Sequence, residues 1–203
     1  MKQLCAKLLV IAALGMLLAT AGCITSQSDL VVTDEISVNI VEHETTGSFS
    51  TFTVVDDFRD QLDKALAKAG KKSTDVKSIH MIGATFKAIA VSPKDTRATA
   101  NITIARQDTP GGAYNDGPAA FVSFNNQLLT ALQGKPTDAQ MNAAGVTVVD
   151  NALAALLAGQ NPRLVLNVNN ETITPTPSAG SPLDFTVRVA LRFQAVVAGT
   201  GKK

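Results

Sequence analysis

The sequence has no tryptophan, one tyrosine, two cysteines and two histidines, and aromatic residues make up only 4% of it. Each shortage removes a class of function. Neither His43 nor His80 has a second histidine four residues on, so no H-E-x-x-H zinc helix can be written. The patterns G-x-S-x-G, G-x-x-x-x-G-K-[ST] and G-x-G-x-x-G are all missing, and with them the signatures of a nucleophile elbow, a phosphate loop and a dinucleotide turn. Charge of one sign is missing too: 18 basic and 17 acidic side chains give a net charge of +1, which offers no basic footprint for nucleic acid. These shortages lead us to expect a chain that is not an enzyme and has no metal, no cofactor and no nucleic-acid partner.

What is present begins at the N-terminus. Lys2 and Lys7 precede an apolar stretch over residues 8–18, followed by Ala19, Thr20, Ala21, Gly22 and Cys23. A basic start, a short apolar middle and a small-residue end make a secretory signal. The run over residues 8–21 falls short of the roughly 20 apolar residues needed to cross a bilayer. Ala21-Gly22-Cys23 resembles the lipobox of bacterial prolipoproteins, in which a small residue precedes the cysteine that receives a diacylglycerol. Thr20 departs from that pattern, which usually has leucine three positions before the cysteine. The resemblance implies cleavage after Gly22, acylation of Cys23 and attachment to a membrane. Ile24 in place of aspartate implies the outer membrane where there is one.

Cysteine usage agrees with that resemblance. Cys5 lies in the segment that would be removed, so the mature chain would keep Cys23 alone. An unpaired thiol is unusual in an exported protein, and acylation accounts for it. Two or more acyl chains anchor stably where one binds reversibly. Cleavage would remove two of the 18 basic residues and no acid, leaving 16 against 17.

About 180 mature residues are enough for one domain with its own core. We divide the chain into a signal peptide over residues 1–22, a lipidated tether over 23–29 and a single domain over 30–203. Alternation marks its strands. Ile36, Val38 and Ile40 share one parity, as do Phe52 and Val54, and Ala98, Ala100, Ile102 and Ile104 form a cleaner set. Phe185, Val187, Val189, Leu191, Phe193 and Ala195 make the longest such series, opposed by Thr186, Arg188, Arg192 and Gln194. Residues 76–91 are apolar on both parities, as in a strand covered on both faces, and His80 would be packed within it. Residues 120–124 and 164–169 add two further strands.

Helices are fewer. Phe58, Leu62, Ala65, Leu66 and Ala69 fall on one helical face, after Asp56 or Asp57 as a cap and before Gly70. A second helix is expected to start near Pro136 and run to Ala158. About seven strands and two helices imply a mainly β fold, an antiparallel β-sandwich of immunoglobulin-like or similar kind with one or two accessory helices. The run Thr74 to Ile79 before a long strand, together with the long final strand, resembles uncharacterised β-sandwich lipoproteins.

One loop stands out. Residues 108–118 hold Asp108, Gly111, Gly112, Tyr114, Asn115, Asp116 and Gly117, and loops on a rigid scaffold are common binding sites. Asp108, Asn115 and Asp116 supply three oxygen-bearing side chains, short of the six to eight oxygen ligands that calcium takes. Tyr114 combines an apolar ring with a polar tip, which suits an interface. The expected function is a membrane-anchored, non-enzymatic binding or structural module of the cell envelope with an envelope protein as partner. The alternative is a carrier of an apolar ligand or lipid, and after it a hydrolase.

Overall fold

A computed structural model describes residues 29–47 and 49–199. The signal peptide, Cys23 and the tether as far as residue 28 lie outside the described residues. The compact unit runs over Leu30–Val197. Its strands are β1 (Leu30–Glu44), β2 (Phe49–Val55), β3 (Val76–Ser92), β4 (Arg97–Gln107), β5 (Asp116–Leu128), β6 (Thr137–Asp138), β7 (Arg163–Thr174) and β8 (Leu183–Val197). Its α-helices are α1 (Phe58–Lys68) and α2 (Ala143–Leu157).

The strands form two antiparallel sheets, β1-β8-β3-β6 and β2-β7-β4-β5, around one apolar core. The antiparallel sandwich is therefore present, with two helices. An immunoglobulin sandwich keeps its first two strands in one sheet. Here β1 and β2 lie in different sheets and the first strand pairs with the last, the double Greek-key order of a jelly roll.

Alternation explains how β8 holds the centre. Phe185, Val187, Val189, Leu191, Phe193 and Ala195 all turn into the core, while Arg188 and Gln194 face outward. Burying one such side chain contributes about 1.5–3 kcal/mol. β3, its neighbour, follows the expected pattern of cover on both faces only over residues 83–86, where four consecutive residues are buried. Its pairing with β8 skips Lys77, Ile82 and Ile89, one residue at each of three bulges. Each bulge resets the alternation. Ile82 and Ile89 are 46% and 53% exposed as a result, and His80 is exposed instead of packed.

The two helices protect sheet edges, which otherwise present unpaired backbone groups. Gln61 of α1 accepts a hydrogen bond from the Ser37 N–H at 2.8 Å and donates to the Ser37 carbonyl at 3.0 Å, satisfying one position on the free side of β1. Asp150 of α2 accepts from the Met81 N–H at 2.7 Å on the free side of β3. Asp57 sits at the N-cap of α1 but its side chain makes no capping bond, accepting from Gln61 Nε2 instead.

α2 starts later than the sequence suggests. Thr137 and Asp138 add a short strand beside Phe86 and Thr85, and the helix begins at Ala143, where Asn142 Oδ1 accepts from the Ala144 N–H. Val146, Thr147, Val148 and Val149 favour strands in isolation. They are helical here because Gly145, Val148, Val149, Ala152 and Leu156 give the helix a buried face. A Cβ on Gly145 would lie 2.7 Å from the Ala120 carbonyl oxygen, so glycine permits the close approach of α2 to β5.

Candidate binding face

The 108–118 loop is built by its own polar residues. Arg106 donates two hydrogen bonds to Asp108, at 2.8 and 2.6 Å, and a third to Gln160 Oε1 at 2.8 Å. The Asp108 carboxylate beside it raises the pKa of the Arg106 guanidinium, so this fork stays charged. The Asp108 N–H donates to Asn115 Oδ1, Gln107 donates to the Gly112 carbonyl, and Asn151 of α2 donates to Asp116. Gly117 closes the turn at φ 82°, where a Cβ would lie 2.7 Å from the Ile104 carbonyl oxygen.

Of the four residues singled out in this loop, Asp108, Asn115 and Asp116 are thus spent on holding it. Tyr114 alone is left as a large exposed group, at 48%. Residues 116–118 belong to β5 and not to the loop.

The structure adds a residue that the alternation hid. Phe52 is 71% exposed on the outer side of β2. In the sequence Phe52 and Val54 form the more apolar parity of this strand. The register with β7 opposes Thr51 to Val168 and Thr53 to Leu166, both of which are buried, so Phe52 and Val54 must face outward. Phe52, Val54, Gly111, Tyr114, Arg163 and Val165 line one open groove of about 350 Å³.

Polar rows continue from this groove across the sheet. Ser50, Asn169, Asn101 and Ser123 are opposite one another on β2, β7, β4 and β5, and Phe52, Asn167, Thr103 and Ala120 form the next row. Ser50 Oγ lies 2.8 Å from Asn169 Oδ1 and 3.1 Å from Asn167 Oδ1, and Ser123 Oγ donates to Asn101 Oδ1 at 2.7 Å. Neither row contains an ionisable side chain.

Other candidates behave differently. His43 Nδ1 is 2.5 Å from Asp184 and His80 Nδ1 is 4.0 Å from Asp150, both at the surface. Among the described residues, no three His, Cys, Asp or Glu side chains form a group able to hold a metal. An apolar cavity between the sheets, bounded by Ile40, Phe86, Phe124, Leu132 and Phe185, has a volume of about 50 Å³. Ligand pockets are typically several hundred Å³, so this space is far too small for an acyl chain.

Together the strand order and filled core define a jelly-roll sandwich whose open surfaces, not its interior, are available to a partner. No family model matches the sequence, and no curated protein matches it. The chain is similar to one in the structure of Desmodium yellow mottle tymovirus, at 10% identity over 87% of this chain and 86% of that one, with a TM-score of 0.35. It is similar also to one in the structure of turnip yellow mosaic virus at 100 K, at 7% identity over 87% and 98%, with a TM-score of 0.29. Likeness at this level carries no argument about function.

Proposed function

We propose that this chain is a lipid-anchored, non-enzymatic binding module of the bacterial cell envelope. Cys23 carries the acyl chains, with the outer membrane as the site where the organism has one, and the sandwich offers Tyr114 and Phe52 to an envelope component. The anchor rests on Ala21-Gly22-Cys23 and the basic, apolar and small-residue order before it. The observation that carries the binding role is the pair of exposed aromatic rings flanking one groove, one of them on a loop stiffened by the Arg106–Asp108 fork. Holding a recognition ring in place before binding lowers the ordering cost on association.

Two measurements test this. Cys23→Ala should abolish labelling by a palmitate analogue and release the domain from the membrane fraction, and persistent labelling would assign the lipid elsewhere. Crosslinking in intact cells should capture an envelope component through the native chain and lose it in Tyr114→Ala. Undiminished capture by a folded Tyr114→Ala variant would remove the loop from the site.

A further inference from the structure

We infer that the outer face of β2-β7-β4-β5 binds a neutral polysaccharide chain, laid along the Asn, Ser and Thr rows with its sugar rings against Phe52 and Tyr114. This rests on the binding-module reading and names the ligand of that same surface. The first argument is charge. The rows Ser50–Asn169–Asn101–Ser123 and Phe52–Asn167–Thr103–Ala120 hold no ionic group. Arg163 at the margin is already engaged, 3.7 Å from Asp56 and 3.3 Å from Gln107 Oε1. A charged ligand would lose hydration here without gaining a counter-charge. A neutral one meets no such penalty.

The second argument is hydrogen-bonding chemistry. Ser50 Oγ lies within hydrogen-bond distance of both Asn167 and Asn169, its single hydrogen serves one Oδ1, and the other amide returns one N–H to the hydroxyl; among the described residues no other protein acceptor takes their Nδ2 hydrogens. Each amide therefore keeps at least one donor for a ligand. Ligand hydroxyls, which both donate and accept, match a surface of amides and hydroxyls.

The third argument is layout. Strands lie about 4.8 Å apart, so a row across four of them is about 14 Å long, enough for a segment of chain and more than a single ring needs. A protein interface gathers its apolar residues at the centre inside a polar rim. This face is arranged the other way, with the amide rows in the middle and the rings at its margin. Phe52 sits on the edge strand and Tyr114 on a loop at one end, where aromatic faces can stack on the C–H faces of sugars.

Tyr114 supplies the test, because the sequence has no tryptophan and no second tyrosine. The full lipidated chain, held in micelles of a sugar-free amine-oxide detergent, is titrated with chitohexaose, cellohexaose, maltohexaose and laminarihexaose while tyrosine emission and thermal shift are followed. At least one should give a saturable response with the same midpoint at low and high salt. Phe52→Ser and Asn167→Ala should each weaken it about tenfold or more while keeping the parent melting temperature. Silence from all four sugars, or a response only to anionic polygalacturonate that salt abolishes, overturns the assignment. If the sugars are silent while Tyr114-dependent crosslinking in cells persists, the ligand class is wrong and the binding module stands. If both fail, both readings fall.

Discussion

The two outer faces of the sandwich are built from the same alternation and carry opposite chemistry. On β1-β8-β3-β6, charges stand in pairs: Arg188 with Glu35 at 2.9 Å and Arg192 with Asp138 at 2.8 Å, while Lys68 of α1 reaches Asp34 at 3.0 Å. On β2-β7-β4-β5, uncharged amides and hydroxyls form rows flanked by two exposed rings. The first face satisfies much of its own polarity, and exposed pairs of that kind contribute little to stability. The second keeps donors in hand. The difference shows that an outward strand position can be used either to neutralise the surface or to leave it ready for a ligand.

Breaking the core that both faces share should have the largest effect. Val189→Asp places an unpaired charge at a fully buried position and should cost several kcal/mol of a typical 5–15 kcal/mol stability. Arg188→Ala, one residue away and facing out, should cost under about 1 kcal/mol. Urea unfolding of the two variants measures the gap, and equal midpoints would mean that β8 is in the wrong register. Next comes the seat of β5, which carries Ser123 of the neutral face. Gly145→Ala forces a methyl against the Ala120 carbonyl and should destabilise by about 1–3 kcal/mol, again read from urea midpoints.

A smaller effect separates the faces by pH. Burial disfavours the Asp34 carboxylate, but the Glu35 N–H and the Lys68 ammonium outweigh it and hold the group below its ordinary value of 3.8. The folded-state pKa is depressed, so this carboxylate stabilises the fold above the ordinary value and ceases to as pH falls through the depressed one. Asp34→Asn should therefore melt lower than the parent at neutral pH, with the difference closing in strong acid. A difference that widens in acid would reverse the sign. Smallest should be Ser50→Ala on the neutral face, which removes exposed hydrogen bonds and should shift the melting temperature by little while weakening ligand binding.

Legibility followed regularity. β8 and α1 could be read because each keeps one period from end to end, with Phe185 to Ala195 at spacing two and Phe58, Leu62 and Leu66 at spacing four. β3 could not, because its three bulges shift parity and leave Ile82 and Ile89 outside. Tyr114 was visible as the lone tyrosine in a glycine-rich loop. Phe52 was not: within β2 a Phe–Val parity looks more apolar than its Thr–Thr alternative, and only the buried Leu166 and Val168 opposite decide otherwise. The amide rows depend on register across four strands, which no single segment encodes.

The claim that the neutral face engages the partner is tested most directly by placing a photoreactive phenylalanine analogue at Phe52 or, on the other sheet, at Ile89, and irradiating intact cells. Both positions are well exposed and apolar, so accessibility does not separate them. Covalent adducts at residue 52 and none at residue 89 are the predicted result. Adducts at residue 89 with none at residue 52 would contradict the account and move the binding site to the charged face.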